Sequence, residues 1–161
     1  MYSDMITSDT LPIRICPFEA LPTTTYHRIV QAREKVFFLE QHITCPDADD
    51  TDLRSIFQWI ERSGRIIAFL RIIPPGIICK EASVGRVLVD REFRRQGLCR
   101  KMMRSALQYI ETTWGPCGVR ISAQAHLERF YASLGFETVT PPYEEAGIRH
   151  VGMLLHAKTR P

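Results

Sequence analysis

The sequence predicts an α/β domain of the α+β type, a mixed central β-sheet with helices on both faces. Three observations carry this expectation. Short apolar runs rich in Ile, Val and Phe alternate with segments of helical periodicity. Two of those runs are joined by the short link Ser63-Gly64, as in a hairpin. Glycines and prolines then mark the boundaries, giving the order β-α-β-β-β-α-β-α-β-β.

Ile13-Arg14-Ile15-Cys16 is a short strand stopped by Pro17. Thr23 to Leu39 reads as a helix, with threonines able to cap it and a stripe of Tyr26, Ile29, Val30, Val36 and Phe37. Cys45 to Asp52 is acidic, contains Pro46 and reads as a loop. Ser55 to Glu61 and Arg65 to Ile73 are paired strands. In the first, Ile56, Gln58 and Ile60 share one side and Phe57 and Trp59 the other, so both faces are buried. Pro74-Pro75-Gly76 ends the second strand, and Val84 to Val89 is the next. Arg100 to Thr113 is a helix with Met103, Ala106, Leu107 and Ile110 inward, stopped by Trp114-Gly115-Pro116. Val119 to Ala123 is a strand, and Ala125 to Leu134 a helix with Gly135 as its C-cap. Phe136 to Val139 and His150 to Leu155 close the sheet.

The 161 residues, 45% apolar and 24% charged, suit one soluble domain over residues 1–161, with 1–10 and 157–161 peripheral. The formal charge is only +3 and the Lys and Arg residues are dispersed, so no nucleic-acid surface is expected. No apolar run nears the ~20 residues that span a bilayer. The N-terminus lacks the basic start and apolar core of a signal peptide, so the chain is expected to be cytoplasmic with no membrane partner. Five cysteines (Cys16, Cys45, Cys79, Cys99, Cys117) form no CxxC pair, which argues against a disulfide framework and a zinc site; no metal is expected.

The densest chemical signal is Arg94-Arg95-Gln96-Gly97-Leu98-Cys99, between the Val84 strand and the helix from Arg100. A helix start offers free N–H groups and partial positive charge, which suits a pyrophosphate. Gly97 permits close approach, and Arg94, Arg95 and Arg100 supply charge. A basic turn with one glycine explains the same residues equally well. Neither a P-loop Gly-Lys-Ser/Thr nor a GxGxxG fingerprint is present.

This loop resembles motif A of the GNAT superfamily of N-acetyltransferases, Arg/Gln-x-x-Gly-x-Gly/Ala, with Cys99 at the final small position. Phe130-Tyr131-Ala132-Ser133-Leu134-Gly135-Phe136 resembles the superfamily's later Tyr-x-x-x-Gly-Phe signature. Arg33 to Gln41, Ala123 to Leu127 and Tyr143 to His150 are similar to the ElaA-like branch. The resemblance implies the GNAT fold and an acetyl-CoA site in a V-shaped opening between the fourth and fifth strands. Backbone groups of Leu88 and Val89 would bond the pantetheine arm. The N–H groups of Arg95, Gln96, Gly97, Leu98, Cys99 and Arg100 would cradle the pyrophosphate. Gln124 takes the place of an Asn that bonds the cofactor arm, and Tyr131 that of a tyrosine donating a proton to the CoA thiolate. Gln124 and Tyr131, seven residues apart, would share a helix face. A Tyr pKa of ~10 above a thiol's ~8.5 suits that acid role.

The implied reaction is direct attack of a primary amine, of a small molecule or peptide, on the thioester. Relatives often carry a glutamate on the fourth strand, whereas Val84 to Val89 holds Arg86 and no carboxylate. Glu40, Glu145, His126 and His150 are the alternative bases. Cys99 has two readings, a thiol activated at a helix start and a small residue tolerated beside phosphate. The run Asp47, Asp49, Asp50 and Asp52 reads as a solvated loop or as an attractor of cationic amine. A non-catalytic acyl-CoA-binding module is the competing function. The chain is expected to act as a monomer or homodimer.

Overall fold

A computed structural model describes residues 11–157 of the chain; Met1 to Thr10 and Lys158 to Pro161, expected to be peripheral, lie outside the described residues. One mixed sheet contains β1 (Arg14–Pro17), β2 (Ile56–Arg62), β3 (Arg65–Ile73), β4 (Ala82–Val89), β5 (Val119–Gln124), β6 (Glu137–Thr138), β7 (Tyr143–Glu145) and β8 (Ile148–Leu155). Its order is β1-β2-β3-β4-β5-β8-β6, with β7 also on β8. All pairings are antiparallel except β4 with β5. The helices are α1 (Thr23–Arg33), α2 (Leu98–Trp114) and α3 (Glu128–Ala132).

The alternation along β2 assigns the two cores. Phe57 and Trp59 join Ile29, Val36, Phe37, Ile66, Phe69 and Leu88 beneath α1. Ile56 and Ile60 face the other way, into the cluster of Leu70, Ile72, Met102, Met103, Ala106 and Ile110 beneath α2. Each such large side chain contributes about 1.5–3 kcal/mol by burial. Gln58 is fully buried, and its Nε2 donates to the Met102 carbonyl at 2.7 Å. The β2–β3 link turns through Ser63 and Gly64, both at positive φ (50° and 75°), the geometry of a two-residue hairpin.

Several boundaries depart from the sequence expectation. The helix from Thr23 remains α only to Arg33 and continues as a π-helix over Glu34–Glu40. Pro22 precedes it and no side chain caps it, so the threonines lie within its first turn. Val30, placed in the apolar stripe, is exposed. Leu107 is only partly buried, and Leu98 and Met102 complete the α2 core instead. The segment Ala125 to Leu134 is not one helix: Ala125–Leu127 is a 3-10 turn and α3 has five residues. Gly135, at φ +95°, turns the chain two residues after the C-cap Ser133. Of Phe136 to Val139, only Glu137–Thr138 is strand. The strand β7 was missed; it turns into β8 through Ala146 and Gly147 at positive φ.

The feature that makes room for a ligand lies in β4. Phe69 pairs with Leu88 and Arg71 with Gly85, so Arg86 and Val87 together oppose Leu70. This is a β-bulge, with Arg86 at φ +53°. On its other edge β4 pairs with β5 only at Ala82–Val119 and Ser83–Arg120. Beyond those two positions the strands diverge.

Candidate active site

A cleft of about 520 Å³ occupies the divergence. Val87, Leu88 and Val89 line one wall, and Gln124, His126, Leu127, Phe130 and Tyr131 the other. Arg94, Arg95, Gly97, Leu98, Cys99 and Arg100 close one end, with Val36, Gln41 and Phe93 completing it. Ten expected cofactor and acid residues therefore meet there: Leu88, Val89, Arg94, Arg95, Gly97, Leu98, Cys99, Arg100, Gln124 and Tyr131. Gln96 is not in the wall; its Nε2 donates to the Glu92 carbonyl at 3.3 Å.

The loop leading into α2 contains two left-handed residues, Arg95 at φ +61° and Gly97 at φ +79°. Gly97 is the N-cap of α2, and no side chain caps the first turn of this 17-residue helix. The first N–H groups of α2 lie at the cleft without a side-chain acceptor among the described residues. The arginines differ in use. Arg94 donates through Nε to the Val89 carbonyl (2.9 Å) and through a terminal nitrogen to Glu40 (2.7 Å). Arg100 donates to Ser133 Oγ (2.8 Å) and stacks over Phe130. Arg95 is exposed and has no side-chain partner among the described residues.

Tyr131 is 6% exposed and packs edge-on against Phe130 and Phe136. Burial, and secondarily the nearby Cys99, raises its hydroxyl pKa well above the usual tyrosine value. Cys99 follows the same physics: burial pushes its thiol up to about 11, outweighing the charge of Arg100. The activated-thiol reading of Cys99 is thereby corrected, leaving a small residue in the wall.

The helix-face argument for Gln124 is also corrected. Gln124 ends a strand, and the 3-10 turn separates it from α3. It shares the cleft with Tyr131 because β5 and α3 converge there. Of the base candidates, His126 lines the cleft and is exposed. Glu40 is ion-paired to Arg94, and Glu145 accepts from Ser122 Oγ at 2.7 Å. His150 is buried against Tyr143, with Nδ1 2.7 Å from the Ile148 carbonyl. None of these three lines the cleft.

The acidic run is a loop with Asp49 and Asp50 exposed, but ion pairs hold three of its aspartates, so it is not a free attractor of amines. Arg33 pairs with Asp47 (2.6 Å) and Asp52 (2.8 Å), and Arg71 with Asp49 and Asp52 (both 2.7 Å). Arg86 reaches Asp47 at 2.7 Å and Asp49 at 3.3 Å. Arg33 and Arg71 are buried and require counter-charges, which three of the four aspartates supply. Asp50 remains exposed. Burial opposes ionisation of Asp49, but Arg71 and Arg86 outweigh it and hold the carboxyl at about 2. Among the described residues no group of His, Cys, Asp and Glu is placed to hold a metal, and no helix is long and apolar enough to cross a membrane.

A parallel strand pair splayed by a bulge, ending at an uncapped helix start, defines an acyl-CoA N-acyltransferase scaffold. Comparison with known proteins makes the assignment specific. Residues 49–157 match the family model described as Acetyltransferase (GNAT) domain. Protein ElaA of Escherichia coli is 34% identical over 137 residues, covering 83% of this chain and 88% of ElaA. The crystal structure of ElaA superposes with a TM-score of 0.84 at 29% identity, covering 89% of this chain and 98% of that one. An acyl-CoA N-acyltransferase from Pseudomonas aeruginosa superposes with a TM-score of 0.86 at 33% identity, covering 90% and 99%. The chain belongs to the GNAT acyltransferase family, in its ElaA-like branch. The family binds an acyl-CoA cosubstrate, and the residues here fit one: uncapped helix N–H groups, a glycine at the N-cap and an unpartnered Arg95 stand at one end of an apolar-walled cleft.

Proposed function

We propose that this protein transfers an acetyl group from acetyl-CoA to a primary amine of a small molecule or peptide. The observation that carries the reading is the continuity of the cleft from the start of α2 to Tyr131. Pyrophosphate is held by the N–H groups from Arg95 to Arg100, and the pantetheine arm lies along Val87 to Val89. The amine nitrogen attacks the thioester carbonyl; the C–N bond forms, the C–S bond breaks and CoA leaves as a thiolate. The Tyr131 hydroxyl donates to that sulfur. Burial keeps the hydroxyl protonated at every working pH, and the same dry surroundings raise the affinity of the thiolate for a proton.

The amine proton leaves by a base other than a β4 carboxylate, since Arg86 occupies the bulge and is tied to Asp47. Exposed His126, in the cleft wall, takes that proton to water. Thiol release from acetyl-CoA, measured against a panel of primary amines, tests the reading. Tyr131→Phe is expected to lower kcat about 100-fold with CoA affinity unchanged. Unchanged turnover would remove Tyr131 from the acid role. Tight CoA binding without release on any amine would favour a binding module over an enzyme.

A further inference from the structure

Gln41 belongs to neither signature, yet it reaches the centre of the cleft. The π-helix widens the chain after Arg33, and Gln41 closes it by donating its backbone N–H to the Val36 carbonyl at 3.0 Å. From there its side chain crosses to β5, where Gln124 Nε2 donates to Gln41 Oε1 at 3.0 Å. The two residues are 83 apart in sequence, and both line the cleft. This hydrogen bond joins the α1 side of the opening to β5.

A primary amide carries two N–H donors and a carbonyl with two lone pairs. The Gln124–Gln41 bond consumes one donor of the first and part of the second's carbonyl. It leaves the Gln124 carbonyl and the Gln41 NH2 without a partner among the described residues. Exchanging oxygen and nitrogen in both amides leaves the same two functions, one donor and one acceptor, on opposite residues. The N–H and C=O of one trans amide point in opposite directions, so the pair suits an arm with amides in series, the free carbonyl taking the N–H of one and the free NH2 the C=O of another.

On the adjacent wall the Val89 carbonyl already accepts from Arg94 Nε at 2.9 Å, which leaves it one lone pair for a ligand along β4. We infer that Gln41 joins Gln124 in a subsite that binds the amide groups of the donor's pantetheine arm. Gln41 is thereby a further binding residue for the CoA arm. This inference rests on the acyl-CoA reading of the cleft and adds to it the residue that recognises the arm.

Calorimetric titration with CoA and with adenosine 3′,5′-bisphosphate, which has the phosphates but no arm, separates the possibilities. The variants are Gln41→Leu, Gln124→Leu and the double variant, each checked for an unchanged melting midpoint. Gln41→Leu is expected to weaken CoA about tenfold, the scale of one lost hydrogen bond to the arm. It should leave the bisphosphate unaffected. The double variant should lose less than the sum of the singles, because the two amides act as one unit. An unchanged CoA affinity in Gln41→Leu would overturn the inference, as would equal weakening of both ligands. Wild-type protein that binds neither ligand would overturn the acyl-CoA reading itself, and the inference with it.

Discussion

Tyr131 and Cys99 share one dry wall, and burial raises both their pKa values. In the proposed mechanism this keeps a proton on Tyr131 for a departing thiolate. For Cys99, at about 11, it removes the nucleophile. Iodoacetamide at pH 8 is therefore expected to modify exposed Cys45 well before Cys99, as read by peptide mass mapping. Faster labelling of Cys99 would contradict the account of the wall. Much of this level was legible in the sequence. The Arg94–Cys99 loop and the Tyr131 segment are contiguous, so each shows as a local motif, and residues of both line the cleft. Gln41 and Phe93 were not legible as cleft residues, because only the meeting of distant segments brings them there. For the acidic run a signal did exist: Arg71 and Arg86 interrupt otherwise apolar strands, and a buried arginine requires a carboxylate somewhere in the chain.

Two elements decide the shape of the site, the bulged strand β4 and the loop leading into α2. The bulge places Arg86 at positive φ and directs it to Asp47 and Asp49. The same lattice ties α1 to β3 through Asp52, which is 2% exposed and contacts both Arg33 and Arg71. Asp52→Asn leaves two buried guanidinium groups short of charge and is expected to cost about 3–5 kcal/mol, measured as a denaturant midpoint. At the loop, a Cβ on Gly97 would meet no protein atom within 4 Å, so only the left-handed backbone at φ +79° resists substitution. Gly97→Ala is expected to cost about 1–2 kcal/mol. A neutral result at either position would place the constraint elsewhere. The strong period of α2 and the two-faced β2 were readable because each contains its own pattern. Short β7 and broken α3 were not, since neither carries enough residues to show a period.

Across the whole molecule the sheet order follows from the hairpin β2–β3 and the crossover helix α2, and both were legible. The splay between β4 and β5 was expected from the family resemblance alone, because a bulge depends on register and not on composition. Acid stability belongs to this scale. The Arg120 guanidinium holds Glu81 at about 2, and Arg71 with Arg86 holds Asp49 at about 2 against its burial. Both folded values lie below the unfolded ones of about 4. Their contributions are thus full above pH ~4 and are lost as pH falls towards ~2. The urea midpoint should change little through these groups from pH 7 to 5 and drop steeply between pH 4 and 2. A midpoint that stays level to pH 2 would contradict the ion-pair lattice.

The central claim is that acyl-CoA lies in the splay, with its phosphates on the start of α2. Backbone hydrogen exchange with and without acetyl-CoA addresses it residue by residue. The account predicts new protection at Arg95 to Arg100 and along Val87 to Val89. Protection elsewhere, with those two segments unchanged at saturating ligand, would contradict it.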